Sequence, residues 1–132
     1  MARYVVDSSA MLHLLAHEID VSEGVELVAP TLLRSQLLAV LHETVHAGEM
    51  EVDVARARLA RFGGMKIRLL GDAVLRRRAW EVADQMRWAS TFDAEYVALT
   101  QLQADAFVTV NAELRDSVQG LVPTAPIDDL HH

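Results

Sequence analysis

Cysteine is absent, which excludes a disulfide scaffold, a thiolate zinc site and a cysteine nucleophile. Lysine is nearly absent: Lys66 stands against eleven arginines, so almost every cationic contact will be a guanidinium contact. Aromatic residues make up 5%, leaving few platforms on which single-stranded bases could stack. No apolar run approaches the ~20 residues of a membrane span, and the longest, Met1 to Leu15, is interrupted by Asp7. Positive charge is also short. Twelve basic residues against nineteen acidic ones give −7 and a pI near 5.2, so the surface at large repels polyanions, and passive coating of nucleic acid or membrane is excluded.

What is there suits one folded unit. The 132 residues, 52% of them apolar, suffice to bury one core and are too few for two. We expect a soluble, cytoplasmic domain with no membrane contact over residues 1–130, with His131-His132 read as a tag remnant.

Arg3 to Asp7 is a continuous β-branched and aromatic run suited to a strand buried on both faces. Ser8 and Ser9 can cap a helix ending near Glu18. Leu27-Val28-Ala29, closed by Pro30, is a second strand. Leu33, Leu37, Val40, Leu41 and Val45 recur at helical spacing, with Thr31 as cap and Gly48 as stop. Val52 to Phe62 repeats the pattern, with Val54, Ala55, Leu59 and Phe62 inside, so the two helices should form a hairpin. Lys66 to Leu70 reads as a strand, Gly71-Asp72 as turn and cap, and Ala73 to Met86 as a helix. Asp93 to Leu102 is another helix, Ala106 to Val110 a buried strand and Ala112 to Val118 a short helix, with a last strand around Ala125-Pro126-Ile127. Alternating strands and helices imply an α/β fold: a short parallel sheet flanked by helices on both faces, plus the two-helix hairpin.

Ligands of open parallel sheets sit outside the carboxyl ends of the strands. Asp7 follows the first strand, Asn111 follows Val108-Thr109-Val110, and Asp93 opens the helix leading into that same strand. Each has an ordinary use. Asp7 and Asn111 cap helices well, and Ser90-x-x-Asp93 has capping-box spacing. Their convergence is what points to chemistry, because carboxylates crowded on one rim are costly without a cation, and oxygen-only ligands suit magnesium or manganese rather than zinc.

Asp7-Ser8-Ser9-Ala10 after a short apolar strand, Thr91-Phe92-Asp93-Ala94-Glu95-Tyr96-Val97-Ala98-Leu99, and Phe107-Val108-Thr109-Val110-Asn111 resemble, in order and spacing, the three blocks of PIN-domain proteins, and most closely the VapC-type toxins of bacterial toxin-antitoxin pairs. The likeness runs from about Arg3 to Asp128. It implies a single PIN-like domain acting as a Mg2+- or Mn2+-dependent endoribonuclease, forming a homodimer and silenced by a cognate VapB-like antitoxin. It also implies that Asp7 and Asp93 are the metal ligands and catalytic residues, with Ser9, Gln36, Thr91 and Asn111 lining the site. The family carries acids where Gln36 and Asn111 stand. Glu43, seven residues after Gln36, lies ~10 Å further along the helix axis, too far for a direct substitute. Each acid-to-amide change removes an interaction worth about 4 kcal/mol at ~4 Å and an effective dielectric near 20, before solvation. Metal binding is therefore expected to be weak in the free protein and tighter when RNA adds phosphate oxygens. A catalytically weakened homologue that binds antitoxin or RNA is the alternative.

His42-Glu43-Thr44-Val45-His46 matches the zinc-hydrolase pattern H-E-x-x-H, with Glu43 as general base. Ala47-Gly48-Glu49 does not continue it toward a third ligand, and His13 and His17 are a pair without one. A phosphoacceptor domain shares only an Asp after the first strand. Arg76-Arg77-Arg78 span most of a helical turn and so cannot all face one partner. Trp88 and Phe92 are the aromatics near Asp93, with Phe92 expected in the core.

Overall fold

The computed structural model describes residues 1–131. His132, half of the tag reading, lies outside the described residues. Among those described, four strands form one parallel sheet in the order β3-β2-β1-β4: β1 (Ala2–Val6), β2 (Val25–Pro30), β3 (Ile67–Leu70) and β4 (Ala106–Val108). Six α-helices accompany them: α1 (Ser8–Ala16), α2 (Leu32–His46), α3 (Val52–Gly63), α4 (Ala73–Met86), α5 (Phe92–Gln103) and α6 (Ala112–Ser117). None is long and apolar enough to cross a membrane.

The topology follows from the strand sequences. Val5 and Val6 are consecutive and both fully buried, which places β1 inside the sheet with apolar contacts on both faces. From β1 the chain steps to β2 and then β3 on one side, and returns to lay β4 on the other. Right-handed crossovers then put α1, α2 and α3 on one face and α4 and α5 on the opposite one. Accordingly, α1 packs on α2 and α3, while α4 packs on α5. The direction of strand order reverses at β1, so the crevice between the carboxyl ends of β1 and β4 is the topological switch point. Glu26, paired with Arg3 across β1 and β2, also bonds Arg68 at 3.0 Å, and the two guanidiniums hold its carboxyl below its ordinary value.

Several local expectations change. Ser8 and Ser9 do not cap α1; Asp7, the other capping residue there, does. Thr31 makes no side-chain cap bond; its backbone N–H instead donates to the Leu70 carbonyl at 3.1 Å, joining the start of α2 to the end of β3. Gly71 permits this approach, since a Cβ there would lie 3.0 Å from Thr31 Oγ1. Val54 is exposed, because α3 offers only a narrow stripe centred on Ala55 and Phe62. The expected last strand is a single bridge, Phe107 to Thr124, followed by a 3-10 turn over Ile127–Leu130. Pro123 and Pro126 flank that bridge, and neither has the N–H a ladder requires. Gly48 does stop α2, at φ +77, and Asp72 caps α4 by accepting from Leu75 N at 2.8 Å.

Phe107 is fully buried at the centre of this arrangement, 6.3 Å from the Tyr96 ring, on the strand that leads to the site. Phe107→Ala should cost about 3–5 kcal/mol, read as a lower urea midpoint at an unchanged slope.

Candidate functional site

Asp7 stands one residue past β1, and its backbone N–H still donates to the Val108 carbonyl at 3.3 Å, so β1 and β4 stay joined where both strands end. The residue is 5% exposed and its carboxylate accepts three hydrogen bonds. Oδ1 takes Ala10 N at 2.9 Å and Ser9 Oγ at 2.7 Å; Oδ2 takes Thr109 Oγ1 at 2.6 Å. Ser9 and Thr109 lie 3.1 Å apart, but each hydroxyl has one proton and both protons go to Asp7. As acceptors, Ser9 Oγ receives Val110 N at 3.2 Å and Thr109 Oγ1 receives Asn111 N at 3.1 Å. These bonds divert the chain after Val108, which is why β4 is shorter than Ala106 to Val110. Of about four lone-pair positions on the carboxylate, three are occupied and one, on Oδ2, remains.

Asp93 lies in the first turn of α5. Because α5 leads into β4, its N-terminus sits at the carboxyl edge of the sheet. The expected capping box does not form: Ser90 Oγ accepts from Phe92 N at 3.1 Å, and the N-cap, Thr91, makes no side-chain cap bond. Asp93 is left without a hydrogen bond or ion pair among the described residues. It is exposed by surface area, yet protein crowds one side, and this loss of solvation, with the charge of Asp7 second, raises its carboxyl above the ordinary range. The Asp7 contribution places the two acids in one electrostatic environment. Glu95, two residues on, is also raised by burial, against a smaller lowering by Arg76.

The two amides are engaged. Asn111 caps α6, accepting from Leu114 N at 3.1 Å, and Gln36, half-buried on α2, accepts the Tyr96 hydroxyl on Oε1 at 2.5 Å. Burial, followed by the charges of Asp7, Glu95 and Asp93, pushes that phenol well above its ordinary value. Tyr96 and Thr109 are the site residues that sequence reasoning did not single out. Tyr96 falls three positions after Asp93 on the same helical face, a spacing that could have marked it. Thr109 looked like one more strand residue. Phe92, expected in the core, is instead 53% exposed beside Asp93, as the first residue of a helix that begins beyond the sheet.

No trio of His, Cys, Asp and Glu able to hold a metal occurs among the described residues. His42 and His46 sit with ring centroids 6.4 Å apart on the exposed end of α2, and no third such ligand joins them. What the switch point offers a hard cation is two carboxylates, one lone pair of Asp7 and an unengaged Asp93. Their mutual repulsion is not offset by a basic side chain bonded to either. The donor set fits an oxygen-liganded divalent ion that keeps several waters.

No protein-family model and no curated protein matches the sequence. The architecture does have solved counterparts. PAE2754 from Pyrobaculum aerophilum is similar over 98% of this chain and 92% of its own, with a TM-score of 0.73 at 23% identity. VapBC-1 from nontypeable Haemophilus influenzae is similar over 95% of this chain and 98% of that one, with a TM-score of 0.63 at 12% identity. The fold is PIN-like. In this PIN-like domain Asp7, Ser9, Asp93 and Asn111 gather at the switch point, Gln36 reaches it through Tyr96, and Glu43 stays exposed further along α2.

Because Asp93 binds its proton more tightly folded than unfolded, its contribution to stability falls as pH rises through the window above the ordinary carboxylate value. Asp93→Asn should therefore be more stable than the parent near about pH 7 and no different near about pH 3, measured by urea unfolding at both.

Proposed function

We propose that this chain is a divalent-metal-dependent endoribonuclease, the toxin of a toxin-antitoxin pair, with Asp7 and Asp93 holding Mg2+ or Mn2+. The observation that supports the reading is that Asp7 ends β1 and Asp93 opens α5 at the same carboxyl edge of the sheet, where burial first and the charge of Asp7 second raise the Asp93 carboxyl. Such a pair is unfavourable by itself and becomes favourable around a cation. Asp7 and Asp93 would hold the ion, which when bound would supply water activation and charge neutralisation at a phosphodiester. Ser9, Ala10 N and Thr109 fix the Asp7 carboxylate in one orientation, which limits the reorganisation needed when a ligand arrives. Asp93 has no competing partner among the described residues. The likeness to VapBC-1 supports a VapB-like antitoxin as partner, and the sequence blocks support RNA as substrate, a homodimer and a cytoplasmic location.

One observation favours a second reading, a weakened homologue that binds antitoxin or RNA with little cleavage: the oxygens of Gln36 and Asn111 are already occupied by Tyr96 and Leu114 N. A manganese titration with a model RNA separates the two. An active nuclease cleaves at saturating metal and loses about 100-fold or more in Asp7→Asn or Asp93→Asn, as expected when a ligand charge disappears. Gln36→Glu with Asn111→Asp preserves an acceptor for Tyr96 and a helix cap, and should tighten Mn2+ binding at least about tenfold. Absence of cleavage in the parent, with recovery in that double variant, selects the weakened homologue.

A further inference from the structure

Gln36 stands where the PIN resemblance places an acid, and unlike an acid its two ends differ. Oε1 accepts the hydroxyl of Tyr96, a residue 1% exposed. That oxygen is the one acceptor the Tyr96 hydroxyl has among the described residues. Turning the amide over would bring two donors against the hydroxyl and leave its proton buried without an acceptor, at a cost of ~1–3 kcal/mol. Deprotonation offers no relief, since burial and three nearby carboxylates stabilise the neutral phenol. The carbonyl end is therefore held toward Tyr96, which uses one of its two lone pairs. The other end, Nε2, has no partner among the described residues, and it is not among their buried unpartnered atoms, so solvent or a ligand reaches it. It does so one hydrogen bond away from a hydroxyl that lies in the field of Asp7 and Asp93.

We propose that Gln36 is a hydrogen-bond donor to a phosphate oxygen of the bound strand and not a ligand of the cation, and that Tyr96 is the positioning residue that aims it. The proposal rests on the nuclease reading above. A carboxylate at this position would attract the cation and repel the phosphate; the amide held by Tyr96 does neither and binds the phosphate directly. The site thereby trades metal affinity for strand affinity in an acidic protein whose aromatic residues are few.

The test measures two constants, the Mn2+ dissociation constant of the RNA-free protein by calorimetry and the affinity of the manganese-loaded protein for a short fluorescent RNA, read in the cold before cleavage. Gln36→Ala should leave the Mn2+ constant within about twofold and weaken RNA binding about tenfold, the size of one hydrogen bond to a charged acceptor. Gln36→Glu should tighten Mn2+ and weaken RNA. Tyr96→Phe should weaken RNA binding in the parent but not in a Gln36→Ala background, a dependence that a merely structural role would not produce. Three results overturn the proposal. In the first, Gln36→Ala weakens Mn2+ about tenfold and spares RNA, making Oε1 a ligand. In the second, both variants lower thermal stability alone. In the third, the parent binds Mn2+ and cleaves RNA while Gln36→Ala changes neither constant, so that the nuclease reading survives and the donor does not. A parent that binds neither Mn2+ nor RNA removes both.

Discussion

A carboxylate leaves water only where other donors replace its hydration, and the join between β1 and β4 is built around one that has done so. Asp7 is buried at the end of β1 and takes bonds from α1, through Ser9 and Ala10 N, and from the segment after β4, through Thr109. Three consequences follow from that set of bonds. Helix α1 starts where Asp7 caps it. Strand β4 stops at Val108 because Thr109 turns toward Asp7 instead of continuing the ladder. Val110 and Asn111 are fixed by their N–H bonds to Ser9 and Thr109, and Asn111 in turn starts α6. One side chain thus sets the ends of three elements at the place where the sheet changes direction. Losing a bond to a buried charge costs more than losing one between neutral groups, so the arrangement has little freedom.

The charge at this rim differs in kind from the charge of the protein. The −7 of the whole chain is spread over a surface that repels polyanions, whereas the rim concentrates Asp7 and Asp93 with two amides beside them. Crowding and mutual repulsion raise Asp93, and the neighbouring phenol stays neutral because additional negative charge there is unfavourable. A cation bound there would relieve both conditions at once. The arginine triplet contributes little order: Arg78 bonds Gln101 and pairs with Glu81, while the charge of Arg76 acts on Glu95.

Much of the fold was legible because the signals were local. Apolar runs at 4–6 and 106–108, the three- and four-residue spacing from Leu33 to Val45, and the stop at Gly48 each depend on residues near in sequence. The failures share a physical origin. Ser90-x-x-Asp93 has capping-box spacing, but the helix began one residue later than that box requires, which freed Asp93. Ala125-Pro126-Ile127 has strand-like residues, but Pro126 within it and Pro123 before it lack the donors of a ladder. Phe92 is apolar, yet a residue at the first turn of α5 projects past the sheet edge and has nothing to bury against. Tyr96 and Thr109 were invisible as site residues because their partners, Gln36 and Asp7, are sixty and 102 residues away in sequence.

By itself the sequence determined the element order, the two carboxylates available for chemistry and the two amides standing where the PIN resemblance places acids, since these depend on residue type and local spacing. Only the tertiary structure decided that Asp7 and Asp93 share one field, that Asp7 retains a single lone pair, and that the Gln36 carbonyl faces Tyr96. Those outcomes depend on strand order and on which distant donors meet which acceptors, and a hydrogen bond between residues a hundred positions apart has no counterpart in local spacing.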